Sequence, residues 1–184
     1  MMRICFVALM IAVLPAAHAA DGKFLISPRV GQGELRIGPA FTSTDEREEV
    51  DTFSVGGSFA FVTPFGLMLE VGADSSSSID WWSATDEFSL SQRYVAVGWE
   101  IPFASGWSVT PKAGRARWKL HSEEGIFLNP GAEEERDVRG YEYIWEVQLS
   151  RQINDRIAFG GAYQEGEFDF GRARSLTFVA TFAF

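Results

Sequence analysis

His121, Ser122, Glu123 and Glu124 are the residues whose types could supply a base, a nucleophile and an orienting carboxylate. Their spacing works against that chemistry. Neighbours on an extended strand point to opposite faces, so the His121 imidazole and the Ser122 hydroxyl cannot readily share a proton. His18 falls in an N-terminal stretch with the features of a cleaved leader, which leaves His121 without a second histidine for a metal site. Glu133-Glu134-Glu135 lacks the spaced ligands and turn glycine of a calcium loop. We therefore expect no enzyme, no resident metal and no cofactor. His121 reads as a solvated loop residue, and weak divalent-cation bridges to lipid phosphates are the metal chemistry left open.

A second set of charges is placed to pair rather than to react. Lys112, Glu146, Glu100, Glu70 and Arg29 each fall on the small or polar parity of a strand-like run. The elements that position them alternate with period two. Phe53, Val55, Gly57, Phe59 and Phe61 share one face of their run. Leu67, Leu69, Val71 and Ala73 stand opposite Met68, Glu70, Gly72 and Asp74. Val95, Val97, Trp99 and Ile101 stand opposite Tyr94, Ala96, Gly98 and Glu100. From Trp107 to about Lys119, Lys112, Gly114 and Ala116 share the inner parity, and Arg115 and Arg117 fall on the outer one. Tyr143, Trp145, Val147 and Leu149 oppose Glu142, Glu146 and Gln148. Ile157, Phe159, Gly161 and Tyr163 make the next outer face. In the first run, Phe24, Ile26, Pro28 and Val30 share a face. Leu35, Ile37 and Phe41 continue on the other parity, which predicts a bulge at Gly31-Gln32-Gly33.

The last run, Arg174 to Phe184, puts Phe184, Phe182, Ala180, Phe178 and Leu176 on one face. In water such a terminal strand would be an aggregation hazard; in a bilayer it is a stave of a closed barrel. Eight strands result, joined alternately by short turns (Thr63-Pro64-Phe65-Gly66, Pro102-Phe103-Ala104-Ser105-Gly106 and Asn154-Asp155) and four longer polar loops (Thr42 to Asp51, Ser75 to Glu87, Lys119 to Gly140 and Glu165 to Ala173). Trp99, Trp107, Trp145 and Tyr163 read as interface aromatics, and the Trp81-Trp82 pair as a further interface anchor in preference to a binding platform.

Met1 to Arg3 give a basic start, Ile4 to Leu14 an apolar run, and Ala17-His18-Ala19 a small-residue cleavage pattern. Residues 1–19 are thus expected to be a secretory signal and 20–184 one barrel domain. Cys5 leaves with the leader, so thiolate and disulfide chemistry are not expected. The formal charge of −9 becomes −10 when Arg3 is removed, and this argues against nucleic acid as a partner.

Ala113-Gly114-Arg115-Ala116-Arg117-Trp118, Asn154-Asp155-Arg156, Phe168-Asp169-Phe170-Gly171 and the final Phe184 together resemble the small eight-stranded bacterial outer-membrane barrels of the OmpA-like transmembrane superfamily. The resemblance implies an all-β, eight-stranded antiparallel transmembrane barrel in a Gram-negative outer membrane. It also implies periplasmic turns and termini, and contact with lipid, lipopolysaccharide and the outer-membrane assembly machinery. Phe178, Ala180, Phe182 and Phe184 would be the assembly signal. We expect a structural, envelope-integrity role with a lumen plugged by side chains. The alternative is a surface adhesin or receptor whose acidic loops bind a ligand, and a lipid A-modifying enzyme ranks below both. Within the lumen we expect an ion network centred on Lys112, with Glu146 first among its partners and Glu100 next, joined by Glu70 and Arg29.

Overall fold

The computed structural model describes residues 22–39, 48–78, 87–123 and 136–184. The expected leader, Trp81, Trp82, Glu124 and Glu133-Glu134-Glu135 lie outside the described residues. Alternating side chains and β-branched or aromatic content give β1 (Lys23–Ile37), β2 (Glu48–Val62), β3 (Leu67–Ser78) and β4 (Glu87–Trp99). They are followed by β5 (Ile101–Ala104), β6 (Trp107–Glu123), β7 (Arg136–Asn154), β8 (Ile157–Phe168) and β9 (Gly171–Ala183). β4 and β5 form one stave interrupted at Glu100, since both pair with β6. Neighbours are antiparallel throughout, and β1 closes the ring against β9. The result is a closed eight-stave barrel, which leaves no unpaired sheet edge.

The outer wall is apolar. Phe59, Val71, Val95, Leu149 and Phe178 stand exposed there at 40–58%. A contiguous surface of this kind is foreign to a water-soluble monomer and suited to lipid. No described helix is long and apolar enough to cross a membrane, which says nothing of a β-barrel.

Several local expectations are corrected. β1 has no bulge: its pairing with β2 runs unshifted from Lys23↔Val62 to Ile37↔Glu48. Leu35 and Ile37 therefore keep the inward parity of Arg29 and are each 1% exposed. Gly31 and Gly33 serve a different purpose from a bulge. A Cβ at Gly33 would lie 2.7 Å from the Arg174 carbonyl oxygen, and one at Gly31 would collide with that of Leu176. The stretch 165–173 is not a long loop. β8 runs on to Phe168 and β9 resumes at Gly171, whose φ of +141° suits glycine. The pairing of β6 with β7 reaches Ser122↔Arg136, so much of the expected loop from Lys119 to Gly140 is ladder.

The lumen is layered. At the end with the short turns, Leu25, Ala60, Val62 and Met68 cluster. At the other end, Trp118, Phe88, Phe168, Phe170, Leu35, Ile37, Leu90 and Leu120 form a larger apolar core. Trp118 meets Phe170 edge-on with ring centroids 5.1 Å apart, and Phe168 stacks on Phe170 at 5.0 Å. Gly140 makes room for the indole, because a Cβ there would lie 2.7 Å from its ring. Between these two apolar layers sits the polar site.

Candidate functional site

Four staves each send one charged side chain to the middle of the lumen: Arg29 from β1, Glu70 from β3, Lys112 from β6 and Glu146 from β7. Their inward direction is fixed locally by strand alternation. Lys112 and Glu146 are direct cross-strand partners, and Lys112 Nζ lies 2.7 Å from Glu146 Oε1. The other oxygen, Glu146 Oε2, accepts from Arg29 Nη1 at 2.5 Å. Glu70 repeats the arrangement, with Oε1 3.1 Å from Arg29 Nη2 and Oε2 2.7 Å from Lys112 Nζ. Each carboxylate thus bridges both cations, giving a closed ring of alternating charge. The side chains of all four are 2–4% exposed.

Further groups complete the ring. The Tyr94 hydroxyl donates to Glu70 Oε1 at 3.0 Å, and the Arg29 guanidinium lies 5.7 Å from the Tyr94 ring centroid. Lys112 also donates to Gln148 Oε1 at 2.9 Å, and Gln148 in turn donates to Ser150 Oγ at 2.9 Å. Asp74 Oδ1 stands 3.7 Å from Arg29 Nε. Gly72 leaves space for the Tyr94 ring, which a Cβ there would strike. A cavity of about 20 Å³ beside Arg29, Thr52, Asp74, Gln92 and Gln164 has room for one water.

This arrangement suits cohesion rather than chemistry. Ion pairs are costly to bury unless geometry and additional hydrogen bonds offset the desolvation of both partners, and here Arg29, Glu70, Lys112 and Glu146 each have at least two partners. Arg29 and Glu146 are 117 residues apart in sequence on staves that do not touch, so the contact crosses the lumen. A slip of one residue in any of the four staves would turn its charge toward lipid.

Glu100 is a correction. It pairs with Lys23 Nζ at 2.8 Å at the short-turn rim, its side chain 26% exposed. Lys112 pairs in register with Gly98, so Glu100 sits two residues farther toward the rim and its carboxylate faces the mouth of the lumen. Asp74, Tyr94 and Gln148 were missed as partners. Their inward parity was legible, but their height relative to Arg29 and Lys112 depends on register across several staves. His121 faces outward and bonds Asp137 Oδ1 through Nδ1 at 3.0 Å, while Ser122 is buried on the inner face. Among the described residues no group of three or more His, Cys, Asp or Glu side chains is set to hold a metal ion.

The four aromatics expected at an interface separate into two levels on the outer wall. Trp99, packed on Phe65 at 5.9 Å, and Trp107, beneath Arg151 at 5.7 Å, stand near the short turns. Trp145 and Tyr163 pack on each other at 5.3 Å higher on the wall. On β9, Phe178 and Phe182 face outward, and Phe184 is 62% exposed. Ala180 lies on the same outer parity, opposite Phe159. Phe184 exchanges backbone hydrogen bonds with Phe24 at 2.9 and 3.2 Å, tying the last residue to the first stave.

Neither a protein-family profile nor a curated protein sequence matches the chain. Solved structures do match in fold. Neisserial surface protein A superposes with a TM-score of 0.67 at 10% identity, covering 88% of this chain and 97% of that one. The attachment invasion locus protein Ail of Yersinia pestis gives 0.59 at 11% identity, covering 89% and 99%. The N-terminal β-barrel domain of Pseudomonas aeruginosa OprF gives 0.53 at 11% identity, covering 88% and 97%. The closed ring of eight antiparallel staves and these superpositions together make the fold that of the small eight-stranded outer-membrane β-barrels.

Proposed function

We propose that the chain is a structural barrel of the Gram-negative outer membrane, contributing to envelope integrity and blocked to solute flow by its own side chains. The observation that carries this is the Arg29–Glu70–Lys112–Glu146 ring across the lumen, with an apolar layer on either side. Eight staves enclose an interior that side chains can fill, and these do so with oppositely charged and aromatic groups. The role is non-catalytic. The connections 63–66, 105–106 and 155–156 face the periplasm together with both termini of the mature chain. The opposite strand ends, at Ile37, Glu48, Ser78, Glu87, Glu123 and Arg136, face outward, as barrels of this class arrange their loop ends. Its partners are the lipids and lipopolysaccharide of that membrane, and the assembly machinery that reads the Phe178–Phe184 strand.

The test is conductance. Purified protein in a planar bilayer should give no unitary current steps, and cells lacking the gene should become more sensitive to detergent and to bulky antibiotics. Steady ohmic channels from the wild-type protein would overturn the plugged reading. One similar fold carries the name of an attachment protein. A chain shortened in 38–47, 79–86 and 124–135 therefore forms the second arm. If it keeps envelope resistance and the intact protein confers no cell binding, the structural role stands; if the intact protein confers cell binding that the shortened chain loses, a surface receptor replaces it.

A further inference from the structure

Charged side chains ring the outer wall toward the loop end, and they are treated differently on the two sides of the barrel. On β1, β2, β8 and β9 the cations are matched. Arg174 meets Glu34 at 2.5 Å, Arg36 meets Glu34 at 3.0 Å and Glu49 at 2.9 Å, and Arg172 meets Glu167 at 2.9 Å. On β4, β6 and β7 the wall presents Arg93, Arg115, Arg117, Lys119 and Arg139, all exposed. Register sets Arg93 directly opposite Arg117, and Lys119 directly opposite Arg139. Like charges opposed in this way destabilise a sheet unless something compensates them. Lys119 reaches Asp137 at 2.8 Å. Arg93, Arg115, Arg117 and Arg139 have no carboxylate within ion-pair distance among the described residues. Arg115 and Arg117 lie over the Tyr141 ring at 5.4 and 6.0 Å, which steadies each guanidinium while leaving its N–H donors available.

The surface between these cations is recessed. Ala73, Ser75 and Ser91 are small, and with Arg93, Arg117, Lys119 and Arg139 they border a depression of about 630 Å³. Directly below it, toward the short turns, a groove of about 1000 Å³ runs down the outer wall and shares Ala73 and Arg93 with the depression. Gly57, Ala73 and Ala113 set it back from the larger Phe59, Leu69 and Val97. A cationic cradle thus opens into an apolar trough on a lipid-facing wall, in a chain whose formal charge is −9.

We propose that the wall running from β2 through β3, β4 and β6 to β7 binds one phosphorylated glycolipid of the leaflet nearest the loops. Its phosphates lie among Arg93, Arg117, Lys119 and Arg139, and an acyl chain lies along the Gly57–Ala73–Ala113 groove. Guanidinium groups match phosphate oxygens in a bidentate fork, so the head supplies selectivity. Lipid tails are as apolar as the wall, so the groove adds packing and orientation rather than hydrophobic driving force. The inference rests on the outer-membrane reading and deepens its lipid partner to a defined site.

The experiment uses the mature barrel purified in a mild detergent, with bisphosphorylated lipid A as probe and native mass spectrometry as readout. Dephosphorylated lipid A and phosphatidylglycerol are the comparison lipids. The wild type should retain one lipid A about tenfold or more tightly than either comparison lipid, as expected of multiple charge-assisted contacts. The combined Arg93→Gln/Arg117→Gln/Lys119→Gln variant should lose about tenfold or more of that affinity while staying heat-modifiable. Ala73→Trp, which obstructs the trough and leaves the cations in place, should also weaken binding. Arg172→Gln/Arg174→Gln on the matched side should not. The proposal is overturned if the triple variant binds within about twofold of wild type, a change as small as an exposed charge contact gives. It is equally overturned if phosphatidylglycerol binds as tightly as lipid A, or if the matched-side variant loses as much. Cell fractionation is read separately: folded protein outside the outer membrane sinks the localisation reading, whatever the lipid affinity.

Discussion

Replacing Lys112 by Met tests the lumen ring most directly. The ammonium has two carboxylate partners at 2.7 Å, and neither can turn to water, since the Glu70 and Glu146 side chains are 2% and 4% exposed. Without Lys112, Arg29 is the one ring cation left for both acids, with Asp74 competing at 3.7 Å and the Tyr94 hydroxyl still donating to Glu70. Breaking a buried pair from one side costs about 3–5 kcal/mol, most of it from the charge left behind. Lys112→Met and Glu146→Gln should each fall in that range. The double variant keeps Arg29 with Glu70 as a balanced pair, so it should cost less than the sum of the singles by about 1–3 kcal/mol. Urea unfolding in lipid vesicles, followed by tryptophan fluorescence and by the heat-modifiable gel band, measures all three. The cost should hardly change between low and high salt, because buried pairs are poorly screened. Single variants costing less than about 1 kcal/mol, as exposed pairs do, would refute a buried ring, and so would strict additivity.

Deleting Phe184 or changing it to Asp should strand the chain in the periplasm or lead to its degradation; normal heat-modifiable protein in the outer membrane of that mutant would count against an assembly role. Trp118→Ala should cost about 3–5 kcal/mol, and the wild-type Trp118 emission should resist both aqueous and lipid quenchers, whereas Trp99 should respond to shallow lipid quenchers. Gly72→Val should push the Tyr94 ring off Glu70 and cost about 1–3 kcal/mol by overpacking, read as a lower urea midpoint. At the loop end, Lys119 first and His121 second hold the Asp137 carboxyl below its ordinary range. The folded pKa is therefore lower than the unfolded one. Its stabilising effect should be complete above the ordinary aspartate range and lost as the pH falls through the folded value, so wild type and Asp137→Asn should converge in thermal stability at low pH.

Alternation with period two is local, and what it determines could be read without a structure. It placed Phe59, Val71, Val95 and Leu149 on the outer wall, and it sent Lys112, Glu146, Glu70 and Arg29 inward. The hairpin through 124–135 set Lys112 beside Glu146, because neighbouring staves joined by one connection have a register that sequence can approximate. Heights across the lumen are another matter. Glu70 reaches Lys112 past β4, and Arg29 reaches Glu146 past β8 and β9, so each contact sums several registers and the tilt of the whole barrel. That is why Glu100, with the same parity as Glu70 in its neighbouring stave, ends at the rim with Lys23. Leu35 and Ile37 looked outward in sequence because apolar residues on a barrel strand were assigned to lipid. The loop end of this lumen is itself apolar, and only the packed aromatic cluster around Trp118 reveals a second hydrophobic environment inside. The outward parity of Arg115 and Arg117 was equally legible. Their alignment with Arg93 and Arg139 was not, because the sequence fixes the face of each side chain locally while the height at which staves meet is set by closure of the ring.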